Sequence, residues 1–576
     1  MLCHRSVVGR VYLNRYMVKK DYSKLSKEEL LATVKKLEKE KSPKKYGLVW
    51  EHHEEDVVKQ CQVEFPVLKE ISKLAIEKAQ GKSTNLIIEG DNYHTLSVLN
   101  YTHSGKIDVI YIDPPYNTGA EDWKYNNKFV DLNDTYRHSK WLSMMEKRIR
   151  LAKNLLTDEG VFICTIDHNE QERLGLLLQE IFPDKMITCV TIVHNPAGVQ
   201  GENFSYTHEY AYFVYPKYGR SIDFLVRDDG ELDVRNFRDV TGEESIRTAA
   251  ANCFYPIYVK DGKIIGFGEV LDNAIHPKSI NIKHKDGTVA VYPIDPQGVE
   301  RKWRFARQTV ESIKNDLRVK FIKTRRVWDI IRVKNRFNYK TVWVDSKYSA
   351  NNYGTQLLNK IIKPGSFSYP KSLHAVIDCI RAASYRKKNP IILDFFAGSG
   401  TTGHAVLCLN QKDGGNRRFI LCTNNENKIA EEVTYPRIKK VIFGYAKEKA
   451  ILANVRYFKT SFVKKTVSRD EQKLRITDKC TEMLCVREGV YKLKSEKPAY
   501  KIFSEGFRTM AVYYSMNRKA LSTLAKELVK YKGDKVLYCF TLGTDLDEAD
   551  FDDWENVRLE PIPQKILDIY KEIHER

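Results

Sequence analysis

No run of about 18 apolar residues occurs in this 576-residue sequence, so it offers no transmembrane helix. There is no C-x-x-C pair. The closest two of the 11 cysteines, Cys480 and Cys485, fit neither a common zinc spacing nor a dithiol centre, and no metal site is expected. Scattered thiols suit a reducing, cytoplasmic setting. The first twenty residues carry five basic groups and no acid but lack the apolar core of a secretory leader; Met17 reads as a start codon, with residues 1–16 an upstream extension. Internal repeats and low-complexity tracts are missing. Gly81-Lys82-Ser83-Thr84 resembles the end of a phosphate loop, but Ile76 occupies the position of the required first glycine, so no ATPase or helicase is encoded. What the chain has in excess is positive charge. Its 95 Lys and Arg stand against 75 Asp and Glu, a formal +20, which points to a polyanionic partner. With 42% apolar residues and a mean hydropathy of −0.47 it reads as globular, long enough for three or four domains.

Residues 23–40 alternate Lys and Glu around Leu30, Leu31, Val34 and Leu37, which predicts a short amphipathic helix in an N-terminal helical region, 1–80. From Asn85 the texture changes. Strands are predicted at 85–89, 107–112 and 160–166, alternating with helices at 93–99, 141–155 and 170–181. Apolar strands alternating with amphipathic helices argue for a parallel sheet covered on both faces. From about 187 to 365 the rhythm breaks into short, turn-punctuated strands. It resumes with a strand at 391–395, a Gly-rich turn at 397–403, a helix at 404–409 and a strand at 419–423. The α/β sheet is therefore expected in two pieces, 81–190 and 361–460. Between them lies an insertion, 191–360, whose first part could complete the sheet; an α+β domain follows at 461–576.

Two motifs carry chemistry. Gly398-Ser399-Gly400-Thr401-Thr402-Gly403 follows a predicted strand and precedes a helix, where glycines let backbone approach a ligand and the helix offers free N–H groups. Alone, this fits a nucleotide-type cofactor, nicotinamide included, or simply a tight turn. Asp113-Pro114-Pro115-Tyr116 ends a buried strand. Two prolines stiffen the backbone and remove two N–H donors, leaving carbonyls expected to point outward without a local partner. An acid, a rigid carbonyl and an aromatic face within four residues suit a planar ring bearing an amino group.

These residues resemble the amino-methylating DNA methyltransferases that use S-adenosylmethionine. DPPY is similar to their catalytic tetrapeptide and LDFFAGSGTTG to their cofactor loop. DPPY comes first, with an insertion between the two, the circularly permuted order of their β class. Further stretches (EGDNYHTLSVL, KWLSMMEKRI, GVFICTIDHNE, YPKS, NNENKIAEEVTYPRIKKVI) resemble the modification subunits of Type III restriction systems and their solitary relatives.

The resemblance implies a Rossmann-like sheet, a target recognition domain in the insertion, and adenine N6 as the methylated atom, since the cytosine-N4 enzymes commonly carry Ser in place of Asp113. It also implies double-stranded DNA as partner, a homodimer, and a separate helicase/nuclease subunit for any cleavage. Asp113 and the Pro114 carbonyl would accept the amine hydrogens, Tyr116 would stack on the flipped base, and Pro115 would stiffen the loop. Asp91, Phe367, Lys371, Ser372, Asp394, Phe396, Gly398 and Gly400 would hold the cofactor, Phe367, Lys371 and Ser372 towards its methionine carboxylate. Thr423 and Asn424 replace the family's ribose-binding acid, with Glu426 just beyond. Cytosine-C5 methylation is disfavoured because no Pro-Cys pair exists; Glu555-Asn556-Val557 matches only another part of that pattern. A non-catalytic DNA-binding subunit is the alternative from another class, and the intact motifs argue against it.

Residues 301–340 carry 14 Lys or Arg against three acids, interleaved with Trp303, Phe305, Phe321, Trp328, Phe337 and Tyr339. Such a segment can neutralise phosphates, although at least half of the aromatics are expected in the local core. Residues 196–210 read as a Gly-rich loop able to close over a flipped base.

Overall fold

In Ile107–Ile112 nearly every side chain is buried, as a strand covered on both faces requires. Strands of this kind assemble the central sheet. The computed structural model describes residues 50–574 except 120–122, 127, 201–202, 227–231, 548–550, 552–553 and 555, together with residues 26, 30 and 31. Residues 1–50 are one unit and 51–576 another. The helix expected at 23–40 falls almost wholly outside the described residues, as do both candidate start positions.

The strands and covering helices, in chain order, are α1 Asp56–Val63, β1 Glu64–Glu70, β2 Thr84–Glu89, α2 Asn92–Thr102, β3 Ile107–Ile112, α3 Arg137–Lys153, β4 Leu156–Ile166 and α4 Gln171–Ile181. They continue with β5 Lys185–Val193, β6 His208–Pro216, β7 Val342–Trp343, α5 Leu373–Ala382, β8 Ile391–Asp394, α6 Thr401–Asp413, β9 Arg418–Thr423, α7 Tyr435–Phe443 and β10 Asn454–Lys464. The sheet runs β1-β10-β2-β9-β8-β3-β4-β6-β5-β7, with Ile76–Glu77 added beside β10. From β10 to β4 all neighbours are parallel, whereas β6 runs antiparallel to both β4 and β5. This is a Rossmann-like mixed sheet with further domains. Strands β3 and β8, some 280 residues apart in sequence, are neighbours, Leu393 aligning with Ile110. Their side chains, with those of α5, α6 and α7, form one continuous core.

Several boundaries differ from expectation. Residues 64–77, inside the segment read as helical, contribute β1 and Ile76–Glu77 to the sheet. Pro66 is tolerated in β1 because that strand is the sheet's edge. β5 and β6 join the main sheet, in line with the allowance that the first part of the insertion could complete it, but β7 joins it as well, so the foreign segment runs only from after Pro216 to before β7. α6 starts at Thr401, shortening the glycine turn.

The insertion packs a four-stranded and a three-stranded sheet around Phe237, Tyr255, Trp303 and Ile330. Phe305 and Trp328 pack on that core and Tyr339 on the main one, while Phe321 is exposed. Beyond β10, a five-stranded sheet from Leu493 to Ile562 carries its own core, and Gln564–His574 follows as a helix. No disulfide joins any of the ten described cysteines. Among the described residues no group of His, Cys, Asp and Glu could hold a metal, and no helix is long and apolar enough to cross a membrane.

Candidate active site

Because β3 and β8 are parallel neighbours, DPPY and the glycine loop leave the sheet side by side, at the carboxyl ends where α/β sheets bind ligands. Each loop is shaped by its surroundings. Asn117, left-handed at φ +58°, turns the chain after DPPY and accepts from Trp123 Nε1 at 3.0 Å. Trp141 of α3 is fully buried and donates its Nε1–H to the Pro115 carbonyl at 2.7 Å. This corrects the expectation of two unpartnered proline carbonyls; Pro115 is anchored inward.

Asp113 Oδ1 accepts from Thr165 Oγ1 of β4 at 2.7 Å and faces Lys371 Nζ at 3.2 Å. Burial, reinforced by nearby Glu209, raises the Asp113 carboxyl above its ordinary pKa, and Lys371 opposes that rise. Tyr116 donates to Glu209 Oε2 at 3.1 Å. Lys371 Nζ contacts the Tyr116 hydroxyl, reaches Glu209 Oε2 at 2.5 Å, and lies 4.4 Å from the centre of the Tyr116 ring. Burial alone would lower the lysine's pKa, but Asp113 and Glu209 overcome it and the ammonium is held charged. Burial likewise works against Glu209, yet Lys371 draws its pKa down.

The glycine loop is built differently. Gly398 and Gly400 sit at φ +46° and +75°, backbone that favours glycine, and a β-carbon on Gly398 would lie 3.1 Å from the Phe367 ring. Asp394 closes the loop from below, accepting from the Phe396 N–H at 2.9 Å and from Thr402 Oγ1 at 2.6 Å. Burial pushes its carboxyl up to about 7. Arg437 of α7, wholly buried, donates to Ser399 Oγ at 3.0 Å and Thr401 Oγ1 at 2.7 Å. Burial brings its pKa down to about 10. A cradle of left-handed glycines walled by Phe367 and opening onto the start of α6 fits a nucleoside-type cofactor.

The structure thus brings Phe367, Asp394, Phe396, Gly398 and Gly400 together, and separately Asp113, Tyr116 and Lys371. Lys371, expected towards the methionine carboxylate of the cofactor, lies against DPPY. Ser372 occupies the N-cap position of α5 but spends its hydroxyl on the Lys347 carbonyl at 2.9 Å instead of capping the helix. Asp91 caps α2, accepting from the Tyr93 N–H at 2.7 Å, with Arg148 at 3.6 Å. Glu426 is engaged by Lys124 of the strand after DPPY. Glu209 and Arg437 were not foreseen. The loop read over 196–210 gives its last three residues to β6, Glu209 among them; Tyr206, before that strand, stacks on His168 at 3.9 Å.

The comparisons with known proteins agree with this geometry. Residues 107–452 match the DNA methylase family of N6/N4 type, a span that takes in both loops and the insertion. The chain belongs to that family. It is 30% identical to the Type II methyltransferase KpnI of Klebsiella pneumoniae, over 61% of this chain and 84% of that one. It is 28% identical to the EcoPI Mod subunit of Escherichia phage P1, a Type III restriction-modification enzyme, over 69% and 66% respectively. With the StyLTI Mod subunit of Salmonella typhimurium the identity is 29%, over 62% of this chain and 56% of the relative. The chain therefore spans most of the first relative but under two thirds of the two Mod subunits. The solved M1.HpyAVI–SAM complex superposes with a TM-score of only 0.28 at 13% identity, over 62% of this chain and 99% of that one.

Proposed function

We propose that this chain methylates the N6 amine of an adenine flipped out of duplex DNA at a short recognition motif. The observation that carries the reading is the adjacency of DPPY and the glycine cradle at the ends of two neighbouring parallel strands. S-adenosylmethionine, when bound, supplies an electrophilic sulfonium methyl. Gly398, Gly400, Phe396 and Phe367 would hold it, with Asp394 and Arg437 keeping the loop in shape.

The chain's own part is to prepare the acceptor. An adenine amine is a poor nucleophile because its lone pair is delocalised into the ring. Asp113 and the Pro114 carbonyl, accepting its two hydrogens, favour a pyramidal nitrogen whose lone pair faces the glycine loop. Tyr116 stacks on the base, and flipping is required because a paired base cannot enter such a pocket. Asp at position 113 favours adenine N6 over cytosine N4. The order of β3 and β8 in the chain supports a circularly permuted, β-class enzyme, and the 217–341 insertion fits a target recognition domain. The Mod-subunit relatives support a Type III context with a separate restriction subunit, or a solitary enzyme of the same build, and the homodimer rests on the motif resemblance alone.

The test is incorporation of tritium from labelled S-adenosylmethionine into unmethylated genomic DNA, followed by nucleoside analysis. N6-methyladenine is the expected product; N4-methylcytosine would move the reading to the sister chemistry, and no incorporation would remove it.

A further inference from the structure

Lys371 has two carboxylates to choose between. Its Nζ lies 2.5 Å from Glu209 Oε2 and 3.2 Å from Asp113 Oδ1. The Glu209 side chain is 5% exposed and that of Asp113 26%, so the pocket opens on the Asp113 side. There the ammonium does what a target amine would do. It faces Asp113 as a donor and lies 4.4 Å from the centre of the Tyr116 ring, where a base would stack. Lysine and substrate compete for one carboxylate and one aromatic face.

We infer that Glu209 is the positioning residue that settles this competition, holding the Lys371 ammonium back so that Asp113 is ceded to the incoming amine. The inference rests on the amino-methyltransferase reading above and adds a residue to it. Lys371 does not escape to solvent, because that would strip a buried carboxylate of its cation, a strongly unfavourable step. The shorter contact is the one to Glu209, so a small swing of the ammonium about that contact, away from Asp113, frees the carboxylate. Charge favours the same arrangement. The acceptor nitrogen becomes positive as it gains the methyl, and a second cation resting on Asp113 would cancel the carboxylate that should face it. Paired with Glu209, the ammonium is neutralised by its own partner. Glu209 also accepts from the Tyr116 hydroxyl at 3.1 Å, so one anchor sets both the lysine and the stacking ring. It is a rigid anchor: Glu209 pairs with Ile192 in the sheet, and besides Lys371 and Tyr116 it is acted on by His194 and repelled by Asp113.

Without that anchor Lys371 should collapse onto Asp113. Glu209→Gln, which keeps the shape and loses the charge, is expected to lower kcat by about 100-fold and raise KM for DNA. Calorimetric binding of S-adenosylmethionine should be unchanged. Adding Lys371→Met to that variant removes the blocking ammonium and should restore about ten-fold of the lost kcat. A purely structural Glu209 predicts a double variant no better than the single one. Glu209→Asp, which retains the charge, should fall between wild type and Glu209→Gln, and serves if the glutamine variant fails to bind the cofactor. Wild-type kcat and KM in Glu209→Gln, or a double variant no faster than it, overturns the inference alone. A wild-type protein that binds S-adenosylmethionine yet methylates no genomic DNA overturns the functional reading and this inference with it.

Discussion

Asp394 is 2% exposed and uses both carboxylate oxygens to close the glycine loop, so its charge is expensive to carry. Its pKa in the folded protein, about 7, stands above the ordinary 3.8. The native state therefore binds this proton more tightly than the unfolded chain does. The stability contributed is complete below about pH 4 and is lost as pH rises through 7, on the order of 4 kcal/mol in all. Asp394→Asn has no proton to lose, so between pH 5 and pH 8 its Tm should fall less than that of the wild type. Parallel curves would mean that the carboxyl ionises without penalty. DPPY and the glycines were legible one residue at a time because prolines and glycines restrict the backbone locally. Glu209 and Arg437 were not. One acid in a His-Glu-Tyr sequence has no spacing that marks it, and its role arises only when β6 lies beside β4, within reach of Lys371 162 residues onward.

Elements were legible in proportion to their periodicity. Strand 107–112 is placed as expected, and β2, β4, β8 and β9 start or end within a few residues of expectation, because an apolar run bounded by turns has one reading. β1 was missed since its seven residues hold Pro66 and three charges, tolerable only at a sheet edge. The contact between α6 and the sheet makes its own prediction. A β-carbon on Gly403 would stand 2.7 Å from Ile438 Cδ1 and 2.9 Å from Leu421 Cδ1. Gly403→Ala should therefore cost about 1–3 kcal/mol by overpacking, read as a fall in the denaturation midpoint. No change would show that α6 has room to move. In the insertion, Arg301, Arg304 and Arg332 are paired internally with Asp295, Asp239 and Asp316. The exposed charge concentrates at the hairpin joining Leu317–Ile322 to Val327–Lys334, at Lys320, Lys323, Arg325 and Arg326. Arg325→Glu with Arg326→Glu should weaken duplex binding and reduce the slope of log affinity against log salt by about 2. An unchanged slope would move the phosphate contacts elsewhere.

At the scale of the whole molecule, a formal charge of +20 and a sheet assembled from distant pieces serve one arrangement. The half carrying DPPY precedes the insertion and the half carrying the glycine loop follows it, so the chain must leave the sheet and return before the two loops meet. That return was legible because the α/β rhythm stops near 187 and restarts at 390. The true extent of the insertion was not, because β5, β6 and β7 are bounded by pairings that no local pattern announces. The central claim is that the paired loops methylate adenine in a defined DNA motif. Its most direct test is long-read sequencing of DNA from a methylation-deficient host expressing the chain, beside a host expressing Asp113→Ala that still binds S-adenosylmethionine. The account predicts N6-methyladenine in one short motif with the wild type and none with the variant. Unmodified DNA in both hosts, or equal modification in both, would contradict it.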